Sequence, residues 1–72
     1  MEKEELLKKL GKNIIKIRTK KGWSQSELAW NCGKDRQSIE RLENGKINPS
    51  IFYLKQIAEG LEITLSELLD FK

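Results

Sequence analysis

A chain of 72 residues with 38% apolar and 35% charged side chains is one domain, able to bury a core only if most of its apolar residues converge. A single cysteine excludes an internal disulfide, the absence of histidine leaves no ligand set for a structural zinc, and no apolar run reaches membrane-spanning length. The net charge of +3 permits nucleic-acid binding without requiring it, but the charge is segregated: residues 8–46 hold eleven Lys/Arg against four Asp/Glu, whereas residues 1–7 and 47–72 each carry −2.

The start, MEKEELLKKL, lacks the apolar core of a signal peptide, and with the lone cysteine this points to a reducing, cytoplasmic setting. Leu6, Leu10, Ile14 and Ile17 recur at helical spacing and predict a first helix from about Glu4 to Lys21. Acids at Glu2, Glu4 and Glu5 and bases at Lys20 and Lys21 suit its macrodipole, and Gly22 is placed to close it. Gly11 is expected to weaken its early part. Trp23 to Leu28 is a start signal for a second helix: Ser24 caps, Glu27 returns the bond, and Trp23 with Leu28 forms a hydrophobic staple. That helix ends near Cys32-Gly33, and Asp35 caps a third that stops at Asn44-Gly45. Beyond the loop Lys46–Pro49, Ser50 caps a fourth helix with Ile51, Leu54, Ile57 and Ala58 as its core face. Thr64 and Glu67 form a capping box for a short fifth helix bearing Leu65, Leu68 and Leu69. No strand pattern or repeat interrupts this series, so the class is all-α with five helices in a single domain over residues 1–72.

Residues 25–44, QSELAWNCGKDRQSIERLEN, carry the most information about function. Two helices that cross steeply need a small side chain where backbones approach, a glycine where the turn requires positive φ, and apolar residues at the crossing. Ala29, Gly33 and the set Leu28, Ile39 and Leu42 supply these. On a 100° wheel Ile39 and Leu42 point one way, while Arg36, Gln37, Glu40, Arg41 and Asn44 cover the opposite arc. A helix held on its apolar side while offering Arg, Gln and Asn is shaped to read base edges in a major groove, Arg on guanine and Gln on adenine. Glu40 is open between accepting from cytosine, repelling the backbone, and orienting Arg36 or Arg41. Gln25 begins a helix, where its amide and the local N–H groups can hold a phosphate. Lys34, Asn44, Lys46 and Asn48 flank the reading helix and are placed for backbone contact. Plainer readings stand beside these: a solvated helix face for Arg36, Gln37 and Arg41, and an idle amide for Gln25. The seven basic residues from Lys8 to Lys21 are either a solvated face or a field that draws DNA in without specifying sequence. Trp23 and Cys32 read as core, and Trp30, turned away from Leu28 and Ala29, as partly exposed.

Taken together, Gly22–Ala29 (GWSQSELA), Gln37–Lys46 (QSIERLENGK) and Asn48-Pro49-Ser50 resemble the lambdoid repressor/Cro-like helix-turn-helix family, often called the XRE family, and the resemblance extends over roughly residues 10–70. It implies a lambda-repressor-like domain in which the helix matching 35–44 enters the major groove and the residue matching Gln25 touches a phosphate. It also implies a structural pair between Arg18 and Glu43, and a two-fold dimer formed near the C-terminal end, where Leu65, Leu69 and Phe71 are apolar in excess of what a small core absorbs. The sequence departs from the family at Trp30 and Cys32, at Glu62 where glycine is common, and at the aromatic pair Phe52-Tyr53. The expectation is a sequence-specific double-stranded DNA-binding transcriptional regulator of repressor or controller type, a homodimer on a pseudo-palindromic operator. Gln25, Lys34, Arg36, Gln37, Glu40, Arg41, Asn44 and Lys46 would meet the DNA, with no cofactor, metal or small-molecule ligand. The alternative is a protein-interaction module or antitoxin-type subunit of the same fold. An enzyme is not expected, since no nucleophile–base pair, metal set or phosphate loop is present.

Overall fold

Side-chain caps start four of the five helices, because the first N–H groups of a helix have no partner within it. The computed structural model describes residues 1–72, with helices α1 (Lys3–Lys20), α2 (Gln25–Cys32), α3 (Arg36–Glu43), α4 (Ile51–Gly60) and α5 (Leu65–Leu68). Ser24 Oγ accepts from Glu27 N–H at 3.1 Å while Glu27 Oε1 accepts from Ser24 N–H at 2.9 Å, a complete capping box. Thr64 and Glu67 repeat that arrangement at α5, and Asp35 and Ser50 cap α3 and α4. At the end of α2, Gly33 takes φ +67 so that Lys34 N–H can reach back to the Ala29 carbonyl at 2.9 Å. The end of α4 closes in the same way, with Ile63 N–H on the Ala58 carbonyl at 3.0 Å, but there the left-handed residue is Glu62 at φ 61. Any side chain with a Cβ is strained in that conformation, so Glu62 costs about 1 kcal/mol that glycine would not.

Leu10 and Ile14 of α1, Leu28 and Ala29 of α2, Ile39 and Leu42 of α3, Ile57 and Ala58 of α4 and Leu68 of α5 meet in one buried cluster. α3 packs between α1 and α2, α4 lies behind α2, and α5 closes the far side against α4 and α1. A helix of eight residues such as α3 is not stable alone, so its conformation derives from these contacts.

The core is tighter than the apolar spacing implied. Leu6 and Ile51 lie outside it, 45% and 64% exposed, because the buried cluster begins only at Leu10 in α1 and at Leu54 in α4. Trp23 is half-buried against the cluster, as are Leu65 and Phe71, which leaves Leu69 as the exposed member of the C-terminal apolar set. Gly11 does not interrupt α1, which is regular through it. A Cβ at that position would overlap the Glu43 carbonyl oxygen, so glycine is what lets the backbones of α1 and α3 approach.

Candidate nucleic-acid interface

α3 is divided along its length. Ile39, Leu42 and Glu43 are buried, whereas Arg36, Gln37, Glu40, Arg41 and Asn44 at its C-cap are all exposed. The buried Glu43 is the anchor of the arrangement. Its carboxylate accepts from Arg18 Nε at 2.6 Å and Arg18 Nη2 at 3.1 Å, a two-pronged pair, while Arg18 Nη1 donates to the Trp23 carbonyl at 2.8 Å. One side chain thereby fastens α3 to α1 and to the turn that leads into α2.

Glu43 also accepts from Gln25 Nε2 at 2.9 Å. An ionised carboxylate only accepts, so this bond fixes which way the Gln25 amide faces. Its oxygen is left pointing toward Arg36, whose Nη1 lies 3.4 Å away. The same Arg36 nitrogen lies 3.5 Å from Glu40 Oε2, one helical turn along. Arg36 is therefore held loosely between two acceptors, its side chain 58% exposed, and it keeps donors for a base edge. Glu40 is joined to Arg36, and of the roles left open for it this contact favours the orienting one.

Gln37 and Arg41, one turn apart, border a shallow depression with Ile47 and Tyr53, and neither forms a side-chain hydrogen bond or ion pair within the chain. Lys46, in the loop after α3, and Asn48 are exposed as well. Lys34 is placed differently. It is half-buried, donates to Gln56 Oε1 at 2.7 Å and stands 4.5 Å above the Tyr53 ring, so it ties the turn between α2 and α3 to α4. The aromatic departure at Tyr53 was the only hint of this in the sequence. Burial pushes the Tyr53 phenol above its ordinary range, and its hydroxyl is enclosed without a partner.

At the start of α3 the hydrogen bonds from Ser38 hold the Asp35 carboxyl below its usual range. Burial raises the Cys32 thiol to about 11, offset in part by the charge of Lys34, so it is a neutral apolar filler beside α4 at neutral pH. Trp30, by contrast, is 85% exposed on the outer side of α2. No helix is long and apolar enough to cross a membrane.

The arrangement of α2, tight turn and α3 agrees with what comparison with known proteins finds. A family model described as helix-turn-helix, HTH_3, matches residues 14–68. A hypothetical transcription factor of Neisseria meningitidis is 32% identical over 68 residues, 94% of this chain, although the chain spans only 64% of that protein's length. The control protein C.MunI of a Mycoplasma species is 41% identical over 83% of this chain and 82% of its own. Among solved structures, the restriction-modification controller protein C.AhdI of Aeromonas hydrophila superposes with a TM-score of 0.88 at 34% identity, covering 94% of this chain and 99% of the other.

Proposed function

Because the chain belongs to the HTH_3 helix-turn-helix family, we propose that it is a sequence-specific double-stranded DNA-binding transcriptional regulator of the controller or repressor type, working in the cytoplasm. The observation that carries this reading is the two-sidedness of α3: one side is locked by Ile39, Leu42 and the Arg18–Glu43 pair, and the other presents Arg36, Gln37, Arg41 and Asn44 free of the core. Arg36 and Gln37, in the first turn, read bases; Arg41 follows them one turn later; Gln25, through its second amide N–H, and Lys46 hold phosphate. The near end-to-end match to a controller protein supports the same assignment.

The acting form is a symmetric dimer on a pseudo-palindromic operator. Ile51 and the neighbouring Phe52, 69% exposed, together with Leu69, leave apolar surface that a second copy can cover. A domain measuring 31 × 22 × 22 Å is of a size that lets two copies in contact present α3 to grooves one turn, roughly 34 Å, apart. A second reading, the fold as a protein-interaction module or antitoxin-type subunit, is favoured by exposed Trp30.

Selection of bound sites from a random duplex library, followed by binding to single-base variants of the winner, separates the two. DNA readout gives a two-fold symmetric site whose preferred bases change in Arg36→Ala and Gln37→Ala, each losing about 1–3 kcal/mol at the preferred site. An unenriched library, or variants that bind every duplex as the unaltered protein does, refutes it.

A further inference from the structure

The basic residues of α1 do not share one environment. Arg18 is committed to Glu43, Lys9 pairs with Glu5 at 3.4 Å, and Lys21 lies 3.9 Å from Glu62 and against the Trp23 ring. Lys8, Lys12, Lys16 and Lys20 have no acidic partner within ion-pair distance. Two of these, Lys16 and Lys20, line a groove that also holds Glu67 and Asp70, so acids offset their charge.

Lys8 borders neither of those acids, and Lys12, which shares a second, lysine-rich groove with Lys16 and Asp70, also borders a depression beside α3. They stand one helical turn apart on the side of α1 that approaches α3 at Gly11, and both are exposed. The α1 backbone at Leu7 and Lys8 also touches the turn after α3: the Lys8 nitrogen and Cγ each lie 3.1 Å from where a Cβ on Gly45 would stand. Main-chain packing, rather than a choice of rotamer, therefore brings these lysines to the C-terminal end of α3. There they border one depression with Asn44, which belongs to the exposed arc of α3. The single acid lining that depression, Glu43, has its charge taken up by Arg18. The outcome is a patch of positive charge, with no acid in ion-pair contact, that adjoins the reading surface at Asn44.

We infer that Lys8 and Lys12 form a phosphate-binding edge of the DNA interface, extending contact from the end of α3 onto α1, while Lys16 and Lys20 take no part. This rests on the DNA-binding reading above. The ligand is the sugar–phosphate backbone of duplex DNA beside the base pairs that α3 reads. Two ammonium groups on flexible stems recognise it by charge and carry no sequence information.

Two double variants test the edge, Lys8→Ala with Lys12→Ala and Lys16→Ala with Lys20→Ala. They remove the same net charge from exposed positions on one helix, so they change the long-range field alike. Binding to the selected operator is followed by fluorescence anisotropy between about 50 and 200 mM salt, with circular dichroism confirming that each variant is helical. Each phosphate contact contributes about 0.9 to the slope of log K against log salt, and a dimer carries the edge twice, so the first pair lowers the slope by about 3.6 and shrinks the affinity gained at low salt by roughly 150-fold. The second pair keeps the slope of the unaltered protein, and base preference stays the same in both. Ethylation interference should show that the first pair loses phosphate positions at the edge of the footprint. Equal slope changes in the two pairs would mean a diffuse field and overturn the edge, as would an unchanged slope in the first. If the unaltered protein binds no duplex at any salt, the proposed function fails with it. If it binds and only the slopes disagree, the edge alone is lost.

Discussion

Replacing Arg18 by methionine isolates the pair that fastens α3. The substitution keeps most of the side-chain volume and removes the charge, leaving the Glu43 carboxylate with its side chain 1% exposed and Gln25 Nε2 as its remaining partner. Two charge-assisted hydrogen bonds are lost, each worth about 1.5–3 kcal/mol, and a buried charge stripped of its partner costs about 3–5 kcal/mol in total. Because Gln25 still donates, the lower end applies, about 3 kcal/mol. A domain of 72 residues has about 4–11 kcal/mol of stability, so this one change consumes a large share of it. Glu43→Gln should cost less, about 2 kcal/mol, because the charge it strands on Arg18 is 13% exposed and keeps the Trp23 carbonyl. The double variant strands no charge, so it should be more stable than the two single effects predict by at least about 1.5 kcal/mol. Urea unfolding followed by circular dichroism, with tryptophan fluorescence as a second probe, measures all four corners of the cycle. A coupling below about 0.5 kcal/mol, or Glu43→Gln costing more than Arg18→Met, would show that the pair is not the fastening it is argued to be.

Glu62→Gly should raise stability by about 1 kcal/mol by relieving the positive φ at the end of α4, and a lower urea midpoint would contradict that account. Gly11→Ala replaces glycine by the better helix former, yet it should destabilise by about 2–3 kcal/mol, because the new methyl meets the main chain of Glu43 and Leu42 rather than a side chain that can swing away; a stabilised variant would refute the close crossing. Asp35 is held below its ordinary range by Ser38, so its contribution is fully present above the unfolded value near 3.8 and is lost as pH falls through the lower folded one. Asp35→Asn should therefore be less stable than the unaltered protein at neutral pH by a margin that closes in acid, and a constant margin from pH 7 to 2 would count against the charged cap.

What the sequence made legible was whatever depends on neighbours a few positions apart. The Ser24–Glu27 and Thr64–Glu67 boxes, the Asp35 and Ser50 caps and the Gly33 turn each need four or five consecutive residues, and each is where the residue types placed it. The two-sided character of α3 was legible for the same reason, since a wheel needs nothing beyond the helix itself. Periodicity says which side of a helix is apolar, but not how far along the core extends, and so Leu6 and Ile51 were expected inside and lie outside. Gly11 looks like a helix weakener until the partner backbone is in view. The site was obscured at long range as well. Gln25 reaches Glu43 across eighteen positions, and Lys34 is drawn toward Gln56 across twenty-two. No local pattern announces either bond, and each changes what its side chain can do, Gln25 by fixing its amide and Lys34 by turning it to α4.

That division between local and long-range residues has a consequence for how such a surface can vary. The contacts that hold α3 in place, through Ile39, Leu42, Glu43 and the Gly11 crossing, share no atoms with Gln37 or Arg41. Substituting those two exposed positions therefore alters what the helix offers a groove without opening a cavity or stranding a buried charge, and its cost to the fold stays within about 0.5 kcal/mol. Arg36 is the partial exception, because its neighbours Gln25 and Glu40 were set to receive a cation. A change there leaves Gln25 Oε1 and the Glu40 carboxylate without their donor, but both can turn to water. The fold tolerates it while the orientation of the reading face does not. Base preference should thus be freest to change through Gln37 and Arg41, and changes at position 36 should carry Gln25 and Glu40 with them.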